Sequence, residues 1–491
     1  MKSIKIIKQK LKQQLNNNQD VTFREFVKDD VNMMIVYIQD CVDQNLLSLS
    51  VINPILQTKK KISVKSLIKD ILVVSGVEEI NEFDKAVKEI LLGNAILFVD
   101  NQTSYIKLAV ANIEKRSIVE PPTSAVIFGP REGFVESIKT NTSLIRKRLP
   151  TTSLKIVELS LGRYTKTIVR MFYLVDIADD KVVKRIEKQL NKIDIDGVID
   201  SHYLVSFLEE QKNSIFKQVG KTEKPDILVS KMLEGRVGIM VDGSPIALTL
   251  PFILLEDLQN SDDYYQKSFR ISFIRLIRLC GVLFSIILPG AYVAVQTMHY
   301  RVIPIRFLIT LMDSIQGLPF TPLLEMLFVV LLFEILYESS LRMPKYLGMA
   351  LGIVGALILG DTAVKAGLIS PPAVMLVALS GISFYTIPDG AAQLSLLRIM
   401  FILAGGLFGI IGVALSFLFI ISYLNDLNAL GSPYLAPFAP EIKTDLMDGI
   451  FKRESLSLKT RPKSIPNKKL VKLSTSEGDE QWNNFHQNNV N

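Results

Sequence analysis

The residues best placed to do chemistry in this chain are charges set among apolar neighbours. Residues 271–424 form a near-continuous apolar tract, interrupted by Glu325, Glu334, Glu338, Asp361 and Lys365. An ionisable group at membrane depth costs about 2.5–3.5 kcal/mol on insertion scales unless it is paired or wet. Such groups mark ion paths, proton relays or buried pairs. Glu334 and Glu338 are four apart and share a helical face, whereas Glu325 and Glu334 point opposite ways. Asp361 and Lys365 lie one turn apart on a further segment. They read either as an intrahelical pair near a membrane interface or as the polar lining of an ion path.

Other constellations are weaker. Ile193–Asp200 gathers Asp194, Asp196 and Asp200, but it lacks the ligand position before the glycine and the terminal Glu of a calcium loop. Gly129–Phe134, GPREGF, precedes Lys139, Arg146, Lys147 and Arg148. It reads as a phosphate loop or, more simply, as a structural turn before a basic helix. Neither G-x-x-x-x-G-K-[ST] nor G-x-G-x-x-G occurs. His202, His299 and His486 are far apart, and Cys41 and Cys280 make no disulfide framework. With no nucleophile–base pair or metal cluster in residues 1–270, the expectation is no enzyme, no cofactor and no metal site.

These charges must be positioned by two different kinds of structure. The chain has 491 residues, net charge +7 and 48% hydrophobic residues, with a mean hydropathy of +0.30. That excess lies in 271–424, so the expectation is a large soluble domain ahead of a membrane domain. The boundaries expected are a basic segment (1–20), a first α/β subdomain (21–120), a second (121–265), a helical multi-span membrane domain (266–440) and a polar basic tail (441–491), read as disordered. Basic–aromatic interleaving that would favour nucleic acid is absent. Lys267, Arg270, Arg275 and Arg278 flank the first apolar run, so residues 1–270 should stay on the cytoplasmic side. Basic residues outnumber acids eight to one between Lys452 and Lys472, which puts the tail there too.

In the soluble part, Thr22–Leu47 reads as a helix with a Thr22-x-x-Glu25 capping box. Ser63–Ser75 and Ile80–Leu92 read as further helices, and Asn94–Val99 with Tyr105–Ala111 as a hairpin. Glu120–Pro122 reads as a linker, with the two subdomains meeting near residues 113–125, followed by a strand at Ala125–Phe128 and a helix at Ser137–Arg148. Lys155–Leu161 and Lys166–Val175 read as paired strands, Asp179–Leu190 as a helix and Gly197–Ile199 as a short strand. His202–Phe207 starts another helix. Arg236–Leu250 is a hairpin whose Asp242-Gly243 favours a type I′ turn.

Hydropathy marks spans at Leu276–Val295, Pro322–Tyr337, Leu347–Ile369, Pro371–Ile387 and Arg398–Leu424, the second and fourth of them short. Ile303–Ile315 reads as interfacial or re-entrant. Small residues recur at Gly348, Gly352, Ala356 and Gly360, and again at Gly405, Gly409 and Gly412. Such stripes let helices approach closely, within one chain or between copies. Val354, Leu357, Asp361 and Val364 share a helical face about 80° wide. Apolar rings gate by dewetting and acidic rings favour cations, so this face is the expected pore lining. The rival is the face of Glu334 and Glu338.

Several stretches carry a resemblance: GPREGFVESIKTNTSLIRKR (129–148), IDIDGVIDS (193–201), LEGRVGIMVDGSP (233–245), PGAYVAV (289–295), GIVGALILGDTAVKAGLISP (352–371) and SPYLAPFAP (432–440). With Gly317–Pro344, they make the chain resemble the spore germination receptor A-subunit (GerA) family, in order, from about residue 30 to 440. The resemblance implies a place in the inner membrane of the endospore, with the N-terminal domain facing the core. It implies a B subunit akin to amino-acid permeases that holds the nutrient, and a C-subunit lipoprotein. It also implies self-association, a pentamer being one form, into a nutrient-gated channel for monovalent cations. A secondary transporter or transport-accessory protein is the alternative, though no paired repeats are visible.

Overall fold

Strand alternation organises the first lobe. The run Val31–Ile38 is apolar on both faces from Met33 to Ile38, which suits a central strand and no amphipathic helix. In the computed structural model, which describes residues 3–112, 129–342, 355, 358–387 and 390–473, it is β2. It pairs with β1 (Val21–Lys28) from Val21↔Ile38 to Lys28↔Val31. The helix expected over Thr22–Leu47 is therefore a hairpin. Asp29 and Asp30 form its two-residue turn, both at positive φ (50° and 60°), as a type I′ geometry requires. Glu25 caps nothing; it pairs with Lys8 at 2.6 Å.

With β3 (Val77–Ile80), β4 (Ala95–Val99) and β5 (Tyr105–Leu108), these strands form an antiparallel sheet in the order β1-β2-β4-β5-β3. Its two faces have separate cores. Met34, Val36, Ile96 and Phe98 pack against helices α1 (Ile4–Gln14) and α2 (Phe83–Leu91). Met33, Ile35, Leu97 and Val99 pack against the short helical turns between Leu47 and Ile71. The basic segment 1–20 is thus part of the lobe, because Ile4, Ile7 and Leu11 lie on one helical face and are buried. The helix expected over Ser63–Ser75 stops at Ile71, after a capping box at Ser63 and one wide turn.

The second lobe repeats the plan with the order β6-β7-β9-β10-β8, again antiparallel. The strands are β6 (Leu154–Leu161), β7 (Thr167–Leu174), β8 (Gly220–Thr222), β9 (Val237–Val241) and β10 (Ala247–Leu250). Helices α3 (Ile138–Arg148), α4 (Asp180–Asn191), α5 (His202–Leu208) and α6 (Pro225–Leu233) accompany it. The β9–β10 hairpin is present, but only Gly243 of Asp242-Gly243 takes positive φ (90°), within a five-residue loop. The type I′ expectation fails because the turn does other work. Asp242 Oδ1 accepts the Ile138 N–H at 3.1 Å, and the Gly243 N–H donates to the Glu136 carbonyl. The loop therefore caps α3. Gly197–Ile199 is not a strand; the hydroxyls of Thr165 and Thr167 hold its backbone instead.

The lobes dock along a polar seam. Asp20 and Arg146 pair at 2.9 Å with 1% of each side chain exposed. Arg170 reaches Asp40, Thr142 and Glu158, and Asn18 bonds to the backbone of Leu154 and Ile156. The linker at Glu120–Pro122, with the subdomain junction expected near residues 113–125, and the strand at Ala125–Phe128 lie outside the described residues.

Between Ser268 and Asp426 the described residues are mostly helical. Among the described residues, α7 (Ser268–Thr297) and α11 (Ala391–Asp426) are long and apolar enough to cross a membrane. Between them come α8 (Ile305–Ile315), α9 (Pro322–Arg342) and α10 (Pro371–Phe384). The second expected span is longer than its hydropathy suggested, at 21 residues, because its last turn is polar. The third ends at Lys365, ahead of a turn with Gly367 at φ 67°.

The tail is folded through Leu473 and not disordered. Its basic side chains find carbonyls and acids of the second lobe: Arg461 donates to the Leu233 carbonyl, Lys468 pairs with Asp180, and Ile465 is fully buried. Composition hid this because the Leu233 and Asp180 contacts lie more than 200 residues away in sequence.

Candidate functional site

The bundle handles its expected charges in three different ways. Glu334, on α9, is paired. It accepts from Arg398 Nη2 at 2.5 Å and from the Ser395 hydroxyl, both on α11. Arg398 is 1% exposed, lies over the Phe384 ring at 4.5 Å, and donates from Nη1 to Ser380 Oγ at 3.2 Å. Ser380 in turn donates to the Ser285 carbonyl of α7. One polar chain therefore crosses α7, α10, α11 and α9. Removing one partner of such a buried pair costs about 3–5 kcal/mol. Glu338, one turn beyond Glu334, is exposed.

Glu325 is buried at 1% exposure and accepts the Ser370 N–H at 2.6 Å. Ser370 is the N-cap of α10, so this carboxylate sits at a helix amino end, where the peptide dipoles favour negative charge. Asp361 and Lys365 pair at 2.8 Å but remain open, with 52% and 75% of their side chains exposed. Val364 is half-buried against the core of Ala363 and Ile369. Val354 and Leu357, like Gly348 and Gly352, lie outside the described residues.

The glycines divide likewise. A Cβ on Gly405 would lie 2.2 Å from the Gly290 carbonyl oxygen, so α7 and α11 touch backbone to backbone there. Gly409 is not a packing position of a straight helix. Its φ of 63° and ψ of −150° break α11 against His299. Gly360 faces open space.

Sequence reasoning missed a second charged centre, where the sheet domain meets α7. Asp263, 1% exposed, accepts from Arg275 Nε at 2.8 Å and from Arg278 at 2.9 and 3.0 Å. Arg275 also reaches the Asp448 carboxylate and the Gly449 carbonyl, while Lys452 donates to the Asp263 carbonyl at 2.7 Å. The arginines read as a positive-inside signal are therefore partly spent on a structural clamp. Burial pushes the Tyr264 hydroxyl well above its usual range, and Asp448, which accepts its proton at 2.9 Å, adds to this. Beside it, burial works against the Glu256 charge, but Arg236 and Lys231 prevail and hold its carboxyl below the usual range. The available signal was Asp263, placed 12 and 15 residues before two arginines.

The motifs flagged as phosphate or calcium loops are occupied internally. Glu132 of GPREGF pairs with Arg148 at 2.5 Å, and Phe134 donates to the Glu223 carbonyl. Asp194 pairs with Arg163, while Asp200 accepts from Ser244 and from the His202 backbone.

Two antiparallel sheet lobes clamped by buried charge to a bundle with two membrane-length helices define a sheet-rich domain joined to a helical bundle of membrane type. The chain belongs to the GerA family: the family described as "Bacillus/Clostridium GerA spore germination protein" matches residues 9–464. Spore germination protein KA of Bacillus subtilis (strain 168) is 32% identical over 477 residues, covering 96% of this chain and 88% of that one. Spore germination protein B1 of the same organism is 32% identical, covering 92% and 95%. An uncharacterized membrane protein, YfkQ, also from that organism, is 34% identical, covering 88% and 85%. The crystal structure of the N-terminal domain of the A subunit of the Bacillus megaterium spore germinant receptor GerK3 is similar at 27% identity and a TM-score of 0.37. It covers 50% of this chain and 94% of that one.

Proposed function

We propose that this chain is the A subunit of a nutrient-germinant receptor in the spore inner membrane, and that copies of it surround a cation path. The observation that carries this reading is the open Asp361–Lys365 pair. Glu334 is paired with Arg398 and Glu325 accepts the Ser370 N–H within the bundle, but Asp361 and Lys365 point outward beside Gly360, whose missing side chain leaves free space. Charge facing hydrocarbon is costly, so this face needs water or another subunit against it. Val354, Leu357 and Val364 complete the proposed lining.

The tail is hydrogen-bonded to the second lobe, which supports an even number of crossings with both on the core side. A permease-like B subunit and a C-subunit lipoprotein complete the receptor in this reading, and the chain itself turns over no substrate. Full-length protein reconstituted in planar bilayers tests it through unitary current steps. Asp361→Asn leaves Lys365 as an unpaired cation in the path and should lower cation conductance, while Lys365→Met should raise it. Conductance unchanged in both variants would remove the pair from the path.

A further inference from the structure

Lys224 is the N-cap residue of α6. Its side chain is fully buried, and its ammonium makes no hydrogen bond. Asp226 lies 3.6 Å away, too far for a hydrogen bond, and the Tyr265 hydroxyl also bonds to that carboxylate. An ammonium carries three donors, and a charge taken out of water is costly unless it is paired and hydrogen-bonded.

Lys224 lines a cavity of about 800 Å³ between the second lobe and the bundle, a volume ordinary for a small-molecule site. One side is β8, the edge strand of its sheet, with α6; the other is Ile274, Ile277 and Arg278 of α7, with the residues that follow α10. Seven basic side chains line the cavity against four acids. Three of the acids are taken: Glu256 by Lys231 and Arg236 at 2.5 and 3.0 Å, Glu234 by Arg236, and Asp257 by Lys217 at 2.5 Å. Lys221 and Lys472 add exposed charge, so the balance is positive. The amino end of α6 opens on the same space through Asp226 and Ile227, and peptide dipoles there favour an anion. The bundle side is apolar and open, with Ile277 48% and Tyr385 65% exposed, at the start of a membrane-length helix. Basic pockets beside the cytoplasmic ends of membrane helices take lipid head groups.

We propose that this cavity binds a phosphate ester, with Lys224 as its principal cation, and that an anionic phospholipid supplies it. Phosphate brings the acceptors that the ammonium lacks, and lysine meets it as a point charge on a flexible four-carbon stem. The acyl chains run along α7 past Ile277. The site needs only that α7 lies in a membrane, and it stands whether or not the protein passes current.

The test is thermal unfolding of full-length protein in detergent and phosphate-free buffer. A lipid that binds the folded form raises the midpoint with its concentration. Dioleoylphosphatidylglycerol mixed into the micelles should do so saturably, while dioleoylphosphatidylcholine and glycerol 3-phosphate should not. Lys224→Met should raise the half-saturating phosphatidylglycerol concentration about tenfold or more, the loss of one charge-assisted contact. Lys221→Ala with Lys472→Ala, both at exposed positions that leave the core intact, should raise it severalfold. Arg270→Gln, on α7 outside the cavity, should leave it unchanged. Equal weakening by Arg270→Gln would reduce the effect to general surface charge and overturn the site, as would a response undiminished in both the Lys224 and the Lys221/Lys472 variants. Glycerol 3-phosphate acting as strongly as the lipid would overturn the lipid as the source and keep the phosphate at Lys224.

Discussion

Glu334→Gln is the most informative single substitution in the bundle. It keeps the side-chain shape but leaves the Arg398 guanidinium, 1% exposed, facing a neutral amide. Breaking one side of a buried ion pair costs about 3–5 kcal/mol. Glu334 retains 29% of its side-chain exposure, so its own charge is partly screened and the lower end applies, about 3 kcal/mol. At 1.4 kcal/mol per tenfold, the folded population falls about a hundredfold relative to the unfolded. Glu334→Gln combined with Arg398→Met replaces the pair by neutral groups of similar volume and should recover most of the loss. By contrast, Asp361→Asn removes an exposed i,i+4 pair and should cost about 0.5 kcal/mol or less. The assays are membrane abundance in cells and unfolding of purified protein in detergent. A loss below about 1 kcal/mol for Glu334→Gln, or a double variant as unstable as the two single losses added, would refute the pairing.

Gly243→Val places a β-branched residue at φ 90° in the loop that caps α3, and should lower receptor abundance through a loss of about 1–2 kcal/mol; wild-type abundance would contradict it. A Cβ at position 405 would lie 2.2 Å from the Gly290 carbonyl oxygen, so Gly405→Leu must push α7 and α11 apart, and engineered cysteine crosslinks between them should fail to form in that variant. Glu256 has a folded-state pKa below its ordinary 4.5, so its stabilisation is complete above that value and is lost as pH falls through the lowered one. Acid unfolding curves should therefore flatten in Glu256→Gln below about pH 4.5, and an unchanged slope would show that Arg236 and Lys231 do not hold the charge. Asp263→Asn should loosen the clamp and expose the Lys452–Arg453 bond to trypsin in the folded protein; unchanged cleavage would count against the clamp.

Much of the fold could be read directly where a local rule carried it. The β4–β5 and β6–β7 pairs, the caps at Ser137 and Asp179, and the two longest apolar helices follow from alternation, capping residues and length. Thr22–Leu47 was misread because Met33–Ile38 is apolar throughout and carries no period of its own. The turn residues Asp29-Asp30 held the decisive signal, since aspartate tolerates the left-handed conformation. At the site, the acids of the bundle stood out by composition. Their partners did not, because Arg398 looked like the polar start of a span and Ser370 supplies only a backbone N–H. The Asp263 clamp joins residues up to 189 positions apart, beyond any local pattern.

That clamp also sets an order of events in biosynthesis. The two sheets are complete by Leu250, and domains generally fold as they emerge, first synthesised first. Asp263 meets Arg275 and Arg278 soon afterwards, but Asp448, Gly449 and Lys452 arrive only after α11 has been made. The junction closes last, once every helix of the bundle has been made. A chain stalled partway through the bundle keeps folded lobes on an unlatched first helix, so a finished junction is itself a record that the chain was made through to Lys452.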